Sequence, residues 1–332
     1  MRTPASPADA PVDAVFLVQP RALLLDLAGP AEALRLANQA LQRRGQPPAF
    51  RLRFVAARPA APSSVGLTLG ELAPLPERLT PGSWLFLLGC RHLHPGEASP
   101  GSAERAEQIR TLRWLHDAGT PLLSPDDGGR VVTICSGALL AAGAGLLGSR
   151  RCTTHHELLE ELRRQAPTAE VVDNRVFVLD GPLASSAGIT AGIDLTLHLI
   201  QAHCGDAIAA AVAQTMVVYL RRNPQDPELS PLLAHRHHLH PALHRVQDAV
   251  CARPAEDWSL DRMAAVAHVT PRHLGRLFGE HAGTTPLRYL QSIRLELAER
   301  ARQQGASLAD AAARAGFSSE QQWRRTRRSR AH

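Results

Sequence analysis

The strongest constraint on this chain lies in its last quarter, where one pattern of small, apolar and capping residues occurs twice, 48 residues apart. Leu260 corresponds to Leu308, Ala264 to Ala312, Val269 to Phe317 and Thr270 to Ser318. In the first copy Ser259 predicts the N-cap of a short helix with Leu260, Met263, Ala264 and Ala267 on one face. A tight turn is expected at His268-Val269, and Thr270-Pro271 opens a second helix with the proline at its first position, where a missing N–H costs nothing. That helix turns Leu274, Leu277 and Phe278 inward and Arg272, His273 and Arg276 outward. A small alanine inside the first helix lets the two helices cross closely, so each copy reads as a helix-turn-helix unit. Between the copies, residues 286–304 carry Leu287, Leu290, Ile293, Leu297 and Ala301 at helical spacing. A helix of that length spans roughly 28 Å at 1.5 Å per residue, comparable to the roughly 34 Å between successive major-groove turns of duplex DNA.

Charge points the same way. All 37 basic residues are arginine. Residues 257–332 hold 13 Arg against 7 Asp plus Glu, a net of +6, whereas residues 1–256 hold 24 of each sign. The whole formal excess sits on the repeated region, as a phosphate-binding surface requires. The run Arg324-Arg325-Thr326-Arg327-Arg328 falls in the second helix of the second copy, where a DNA contact outweighs the reading of a solvated tail. The candidates for DNA contact are Arg272, His273 and Arg276 in the first unit and Gln321, Gln322, Arg324 and Arg325 in the second. Arginine contacts guanine bidentately and glutamine contacts adenine, though some of these side chains will hold phosphates instead.

Length suggests two domains. Residues 1–12 are rich in Pro and Ala, lack an apolar core segment, and read as a disordered N-terminus without a secretory signal. Five irregularly spaced cysteines argue against a disulfide framework and for a reducing cytoplasm. No apolar run is long enough to span a membrane. Across residues 13–222, candidate strands Ala14–Val18, Leu52–Ala56, Trp84–Leu88, Val131–Ile134 and Val176–Leu179 alternate with candidate helices Pro30–Arg43, Ala103–Ala118, Gly137–Leu147, Glu157–Gln165, Ala191–His203 and Ala207–Leu220. The expected fold is α/β, a largely parallel sheet with helices on both faces, followed by an all-α domain of two helix-turn-helix units at residues 244–332. Residues 223–243, with four prolines among polar and histidine residues, read as a linker.

The chemically loaded stretch of the first domain is Val131-Val-Thr-Ile-Cys-Ser-Gly137, a buried strand that runs into Cys135 and then into a small-residue helix. This is the strand–nucleophile–helix elbow pattern, with cysteine as the nucleophile and Thr133 where the hydrolase pattern has glycine. A helix N-terminus lowers a thiol pKa and favours an anionic ligand group. Cys135 equally suits a small packing residue or a wall of a ligand pocket. His155 suits a Cys/His pair or a helix cap, and Asp26, ahead of Gly29-Pro30, suits a pocket acid or a cap. Ser186 and Gly188 are expected in a loop facing the elbow, with Thr190 as a helix cap. The cluster His235, His237, His238, His240 and His244 lacks zinc-protease spacing and a companion carboxylate, so no metal is expected.

Two resemblances join these observations. Thr270-Pro-Arg-His-Leu-Gly-Arg-Leu-Phe278, Gly283-Thr-Thr-Pro-Leu-Arg-Tyr-Leu290, Arg294-Leu295 and Ala315-Gly-Phe-Ser318 resemble the DNA-binding domain of AraC/XylS transcription regulators over about 75 residues. Thr326 departs from that pattern, standing where the first copy has Phe278, which leaves Trp323 to carry much of the second unit's core. Asp26-Leu-Ala-Gly-Pro-Ala-Glu32, Cys135-Ser-Gly-Ala-Leu139, Ala144-Gly-Leu-Leu147, Thr153-Thr-His155 and Ser186-Ala-Gly-Ile-Thr-Ala-Gly-Ile-Asp194 resemble the class I glutamine amidotransferase-like (PfpI-type) superfamily, most of all its branch fused to an AraC-type C-terminus. The resemblance implies a flavodoxin-like sheet of the amidotransferase type. In enzymes of that superfamily the elbow cysteine is a nucleophile contacted by an acidic residue after the first strand, here Asp26 or, less well placed, Glu32. In the regulator branch the same cavity is a sensor pocket, which would here draw on Asp26, Cys135, Ser136, His155 and Ser186. The implied protein is a transcription regulator, an activator by analogy, and not an enzyme. Its expected partners are operator DNA, a small-molecule effector, RNA polymerase and a second copy of itself, without a cofactor, in a bacterial cytoplasm and on the nucleoid when DNA-bound. The alternative is a cysteine-dependent hydrolase or hydratase with an accessory DNA-binding domain. Related regulators answer to amino-acid-derived or quaternary-ammonium metabolites; for the latter an aromatic cage would draw on Trp84, Phe86 and Trp114, all equally suited to the core.

Overall fold

In a computed structural model the chain divides into two compact units, Met1–Glu228 and Leu229–His332. The structure describes residues 10–90, 103–188, 190–218, 235, 238, 240–303 and 305–330. The N-terminus expected to be disordered lies almost wholly outside them, as do His237 and most of the expected linker.

The first unit is built on a seven-stranded sheet. In chain order its strands are β1 Val12–Leu17, β2 Phe50–Ala56, β3 Ala73–Pro74, β4 Trp84–Leu87, β5 Arg130–Ile134, β6 Phe177–Asp180 and β7 Leu183–Ser186. They lie in the order β6-β7-β5-β4-β1-β2-β3, and every pairing is parallel except β6 with β7. Strand β7 was not anticipated, because Leu183-Ala-Ser-Ser186 is short and half polar. It is nevertheless fully buried between β5 and β6.

Buried strands split their side chains between two faces at a period of two. In β1 and just beyond it, Ala14, Phe16 and Val18 join the core under α1 (Leu24–Gln42), α5 (Ala191–Cys204) and α6 (Asp206–Thr215). Val15 and Leu17 face the core under α2 (Ala103–Leu122), α3 (Gly137–Gly143) and α4 (Leu159–Gln165). Phe16 and Phe86 stack at 4.4 Å between ring centroids, with Phe54 against Phe16 at 5.4 Å. Burying a phenylalanine contributes about 1.5–3 kcal/mol, so this trio anchors the centre of the sheet.

Several expected helix boundaries are corrected, among them that of α6, which stops at Thr215 rather than Leu220. Helix α1 begins at Leu24, not Pro30. Its first turn buries Asp26 and Leu27, and Pro30 sits inside the helix, so the Asp26 carbonyl receives no N–H from position 30. Helix α3 stops at Gly143 rather than Leu147, where Ala144 leaves the helical conformation and Gly145 takes φ +72°.

In the second unit Pro241 already starts a helix, α7 (Pro241–Ala252), so helical structure begins inside the expected linker. Leu243, Val246 and Val250, spaced i, i+3, i+7, pack it into the first core. The repeat then folds as two helix pairs, α8 (Leu260–Ala267) with α9 (Pro271–Ala282) and α11 (Leu308–Arg314) with α12 (Glu320–Arg330). The connecting helix α10 (Pro286–Gln303) serves both. Tyr289, Leu290 and Ile293 belong to the first core, and Leu295, Ala298 and Ala301 to the second. Leu287, expected on the buried face, is 45% exposed, because Tyr289 takes the inward place in that turn.

Candidate functional site

Four segments converge at the carboxyl ends of β1, β4, β5 and β7, the edge where α/β sheets hold their ligands. Cys135 sits directly after β5 with φ +53°, a left-handed conformation uncommon for a residue with a side chain. Its N–H donates to the Ser186 carbonyl at 3.1 Å, and its carbonyl accepts from the Thr154 hydroxyl at 2.8 Å. The elbow is therefore fixed from two sides. Helix α3 can leave it only because position 137 is glycine, since a Cβ there would fall 2.0 Å from the Leu87 carbonyl oxygen. The side chain of Cys135 is almost wholly buried.

Asp26 meets the elbow across Gly89. Its Oδ2 accepts from the Gly89 N–H at 3.1 Å. A Cβ at Gly89 would lie 2.5 Å from that oxygen and 2.9 Å from the Cys135 Cβ, so the glycine lets the acid and the cysteine approach. Asp26 is fully buried, and its Oδ1 has no hydrogen-bond partner among the described residues. Burial pushes its carboxyl up to about 7, against the opposing pull of the Gly89 N–H. Leu23 holds the N-cap position of α1, so Asp26 does not cap that helix, and its carboxyl is turned to Gly89 beside the elbow. Glu32 is an exposed residue paired with Arg35 and takes no part.

The remaining expected pocket residues have other occupations. The Ser136 hydroxyl accepts from the Cys90 N–H at 2.9 Å and donates to the Cys90 carbonyl at 3.1 Å, which pins the loop after β4 to the elbow. His155 matches the capping reading: its Nδ1 accepts from the Glu157 N–H at 3.4 Å. Its ring packs on Gly188, where a Cβ would lie 2.9 Å from the ring carbon Cδ2. Ser186 is a buried strand residue opposite Ile134, not part of a loop, and serves the elbow through its carbonyl. Thr190 occupies the N-cap position of α5, but its side chain makes no capping bond.

Cys90, which carried no motif in the sequence, belongs to this site. Burial and the charge of Asp26 push its thiol up to about 12. The only signal was its place behind Gly89, just past the apolar run Trp84–Leu88. Trp84, Phe86 and Trp114 form no cage. Trp84 packs on Phe50 and His203, Phe86 stacks on Phe16, and the Trp114 indole donates to the Pro76 carbonyl at 2.6 Å.

In the second unit the first helix pair is capped as its sequence predicts, and the second is capped with one shift. Ser259 accepts from the Arg262 N–H at 3.1 Å, Thr270 from the His273 N–H at 3.3 Å and Ser307 from the Asp310 N–H at 3.1 Å. The turn residues His268 (φ +58°) and Gly316 (φ +82°) are equivalent at the repeat spacing. The second turn then runs one residue longer: Ser319, not Ser318, caps α12 through the Gln322 N–H at 3.2 Å. Gln322 answers by accepting from the Ser318 N–H and hydroxyl at 2.8 and 3.0 Å, a variant of the capping box. This occupies a side chain expected to read DNA. Arg272, Arg276, Gln321, Arg324 and Arg325 are exposed, and His273 is half-buried. Arg276 contacts the His273 ring at 3.1 Å. Trp323 is buried among Leu295, Ala312 and Phe317, as the loss of an aromatic at position 326 required. The described histidines of the expected linker pack against α9. His235 contacts the Ala282 carbonyl at 2.8 Å, and the His240 and His281 rings lie 5.1 Å apart.

Comparison with known proteins follows this division. Residues 123–202 match the DJ-1/PfpI family, and residues 263–331 match a helix-turn-helix domain. The chain is 31% identical to the HTH-type transcriptional regulator GbdR of Pseudomonas aeruginosa, over 57% of this chain and 52% of that one. It is 34% identical to the HTH-type transcriptional regulator GlxA of Rhizobium meliloti, over 65% and 64%. It thus spans about half the length of the first relative and under two thirds of the second. A crystal structure of a ThiJ/PfpI family protein from Pseudomonas syringae superposes with a TM-score of 0.51 at 21% identity, over 79% of this chain and 92% of that one, a likeness of fold. No helix among the described residues is long and apolar enough to cross a membrane. The chain therefore joins a DJ-1/PfpI-family domain to a helix-turn-helix domain of the AraC type.

Proposed function

We propose that this chain is a sequence-specific DNA-binding transcription regulator, an activator, whose DNA binding answers to a small metabolite held beside Cys135. The observation that carries this reading is the repeated helix pair. Two units of one plan share a connecting helix, each has its own core, and the net positive charge of the whole chain is confined to them. A domain that only anchored an enzyme to DNA would not need two reading helices on a spacer comparable in length to the groove repeat. The names borne by GbdR and GlxA support the same function.

In this account Asp26, Cys135, Gly89 and Cys90 wall the effector pocket, with Ser136, His155 and Ser186 shaping it from behind. A buried acid whose Oδ1 lacks a partner suits an effector that brings a hydrogen-bond donor. Effector binding alters how two copies associate through the first domain, repositions the DNA-binding domains, and so presents them to the operator and to RNA polymerase in the bacterial cytoplasm. The strained cysteine elbow beside a raised-pKa acid favours a second reading, a cysteine-dependent hydrolase or hydratase. Replacing Cys135 with alanine separates the two. The regulator reading expects DNA binding to persist with a changed effector response. Loss of a measurable turnover together with effector-indifferent DNA binding would favour the enzyme.

A further inference from the structure

Five histidines meet where the chain before α7, α7 itself and the end of α9 come together. The His238 and His244 rings lie 4.7 Å apart, His240 and His281 5.1 Å, and His238 and His281 6.4 Å. His235 Nδ1 donates to the carbonyl of Ala282, the last residue of α9, at 2.8 Å, and the His235 carbonyl accepts from the fully buried Gln247 of α7 at 2.7 Å. His244 Nε2 donates to the His238 carbonyl at 2.7 Å. A carbonyl only accepts, so these contacts suit His235 and His244 in either charge state. Two other nitrogens are more exacting. His238 Nδ1 accepts the His240 N–H at 3.3 Å and therefore carries no proton. His240 Nδ1 is buried without a hydrogen-bond partner among the described residues, so a proton there would be a buried donor with no acceptor. The arrangement is built on neutral His238 and His240. Among the described residues, none of His235, His240, His244 and His281 meets a carboxylate that would offset an added charge. The other charged or titratable groups on the surrounding elements are Arg245, Asp248 and Cys251 on α7, Arg276 and Glu280 on α9, and Arg288 and Tyr289 on α10. Arg245 is turned to the Ala267 carbonyl at 2.9 Å, Glu280 pairs with Arg276 at 3.9 Å, and Cys251 contacts the Tyr289 hydroxyl at 3.2 Å.

We propose that these histidines form an acid-released latch: when neutral they hold the start of α7 and the chain before it against the end of α9, and protonation of His238 and His240 frees that contact. A proton on His238 Nδ1 displaces the His240 N–H, and charges on rings about 5 Å apart repel one another. The docked form thus binds fewer protons than the released one, so it loses stability as pH falls. A solvated histidine goes from about one-tenth to about nine-tenths protonated between pH 7.5 and pH 5.5. Each histidine that docking keeps neutral therefore raises the opening equilibrium about tenfold over that interval, and His238 with His240 about a hundredfold. The second helix pair carries no histidine in α11 or α12 and has no such response.

The test is amide hydrogen exchange of the full-length protein at pH 7.5 and pH 5.5, with rates corrected for the intrinsic effect of pH on exchange. It needs no DNA and no effector, so it stands apart from the regulator reading. In wild type, protection at the start of α7 and the end of α9 should fall about a hundredfold at the lower pH, while α11 and α12 change less than twofold. His240→Gln cannot take up a proton at that position and should cut the fall to about tenfold. His268→Asn removes an exposed histidine outside the cluster, at a left-handed position that asparagine tolerates, and should keep the wild-type response. The wild-type comparison between the two helix pairs decides the matter even where His240→Gln folds poorly. Protection that is unchanged at pH 5.5, or that falls equally in α11 and α12, would overturn the latch. So would a response that His240→Gln and His268→Asn reduce alike.

Discussion

Replacing Asp26 with asparagine isolates the most unusual group in the first domain. The carboxyl is fully buried, and burial raises its pKa from 3.8 to about 7. The folded state therefore binds a proton that the unfolded chain releases between those values. For a carboxyl shifted upward, stability is greatest below the unfolded pKa, falls as pH rises through the interval, and levels off above the folded pKa. Integrating between pH 5 and pH 8 gives a loss of about 2–3 kcal/mol from this group alone. Asparagine keeps an oxygen for the Gly89 N–H and cannot ionise. The assay is urea unfolding at pH 5 and pH 8, followed by the fluorescence of Trp84 and Trp114 in this domain. The wild type should lose about 2–3 kcal/mol more than Asp26→Asn between the two pH values. Equal losses in the two proteins would mean that Asp26 is not the buried, proton-holding acid described, and the proposed effector site would lose its acidic member.

Two further outcomes follow from packing. Gly137→Ala places a methyl 2.0 Å from the Leu87 carbonyl, a rigid backbone atom, so the variant should yield little folded first domain, as judged by the loss of cooperative melting. A wild-type melting profile would show that the elbow is looser than its geometry implies. Trp323→Ala removes the largest side chain of the second helix-turn-helix core and should cost about 3–5 kcal/mol. The loss should appear as early hydrogen exchange in α11 and α12 with α8 and α9 still protected, because the two cores share only the connecting helix. Uniform loss across both units would contradict the division into two cores.

Much of the architecture was legible because the relevant signals are local. A cap, a left-handed turn residue and a stripe of small apolar residues identify each helix pair, and finding them twice at one spacing removed the ambiguity of a single match. The elbow was equally visible, since the apolar run Val131-Val-Thr-Ile ends at Cys135 and small residues follow from Gly137. What stayed hidden depends on contacts between distant segments. Strand β7 is defined by its neighbours β5 and β6, not by its own propensity. Cys90 enters the site through Ser136, 46 residues away. The hydrogen bonds of Gln322 to Ser318 were hidden because one extra residue in the second turn makes Ser319 the cap, a difference that aligning the repeats at Ser318 conceals. Leu287 satisfied the helical period, but the period does not say which of two apolar residues two positions apart, Leu287 or Tyr289, faces a core. Asp26 was ambiguous for a related reason. Pro30 is a strong start signal, and the earlier turn that buries Asp26 and Leu27 is stabilised by tertiary packing.

The most direct test of the account is DNA binding by the purified full-length protein, measured in vitro over a salt series and across a bacterial genome, its own upstream region included. The account predicts a discrete set of tightly bound sites, an affinity that falls steeply with salt, and a preference for those sites that survives at physiological ionic strength. Weak binding of equal strength to every duplex would contradict it, and would return Cys135 and an enzymatic role to the centre of the problem.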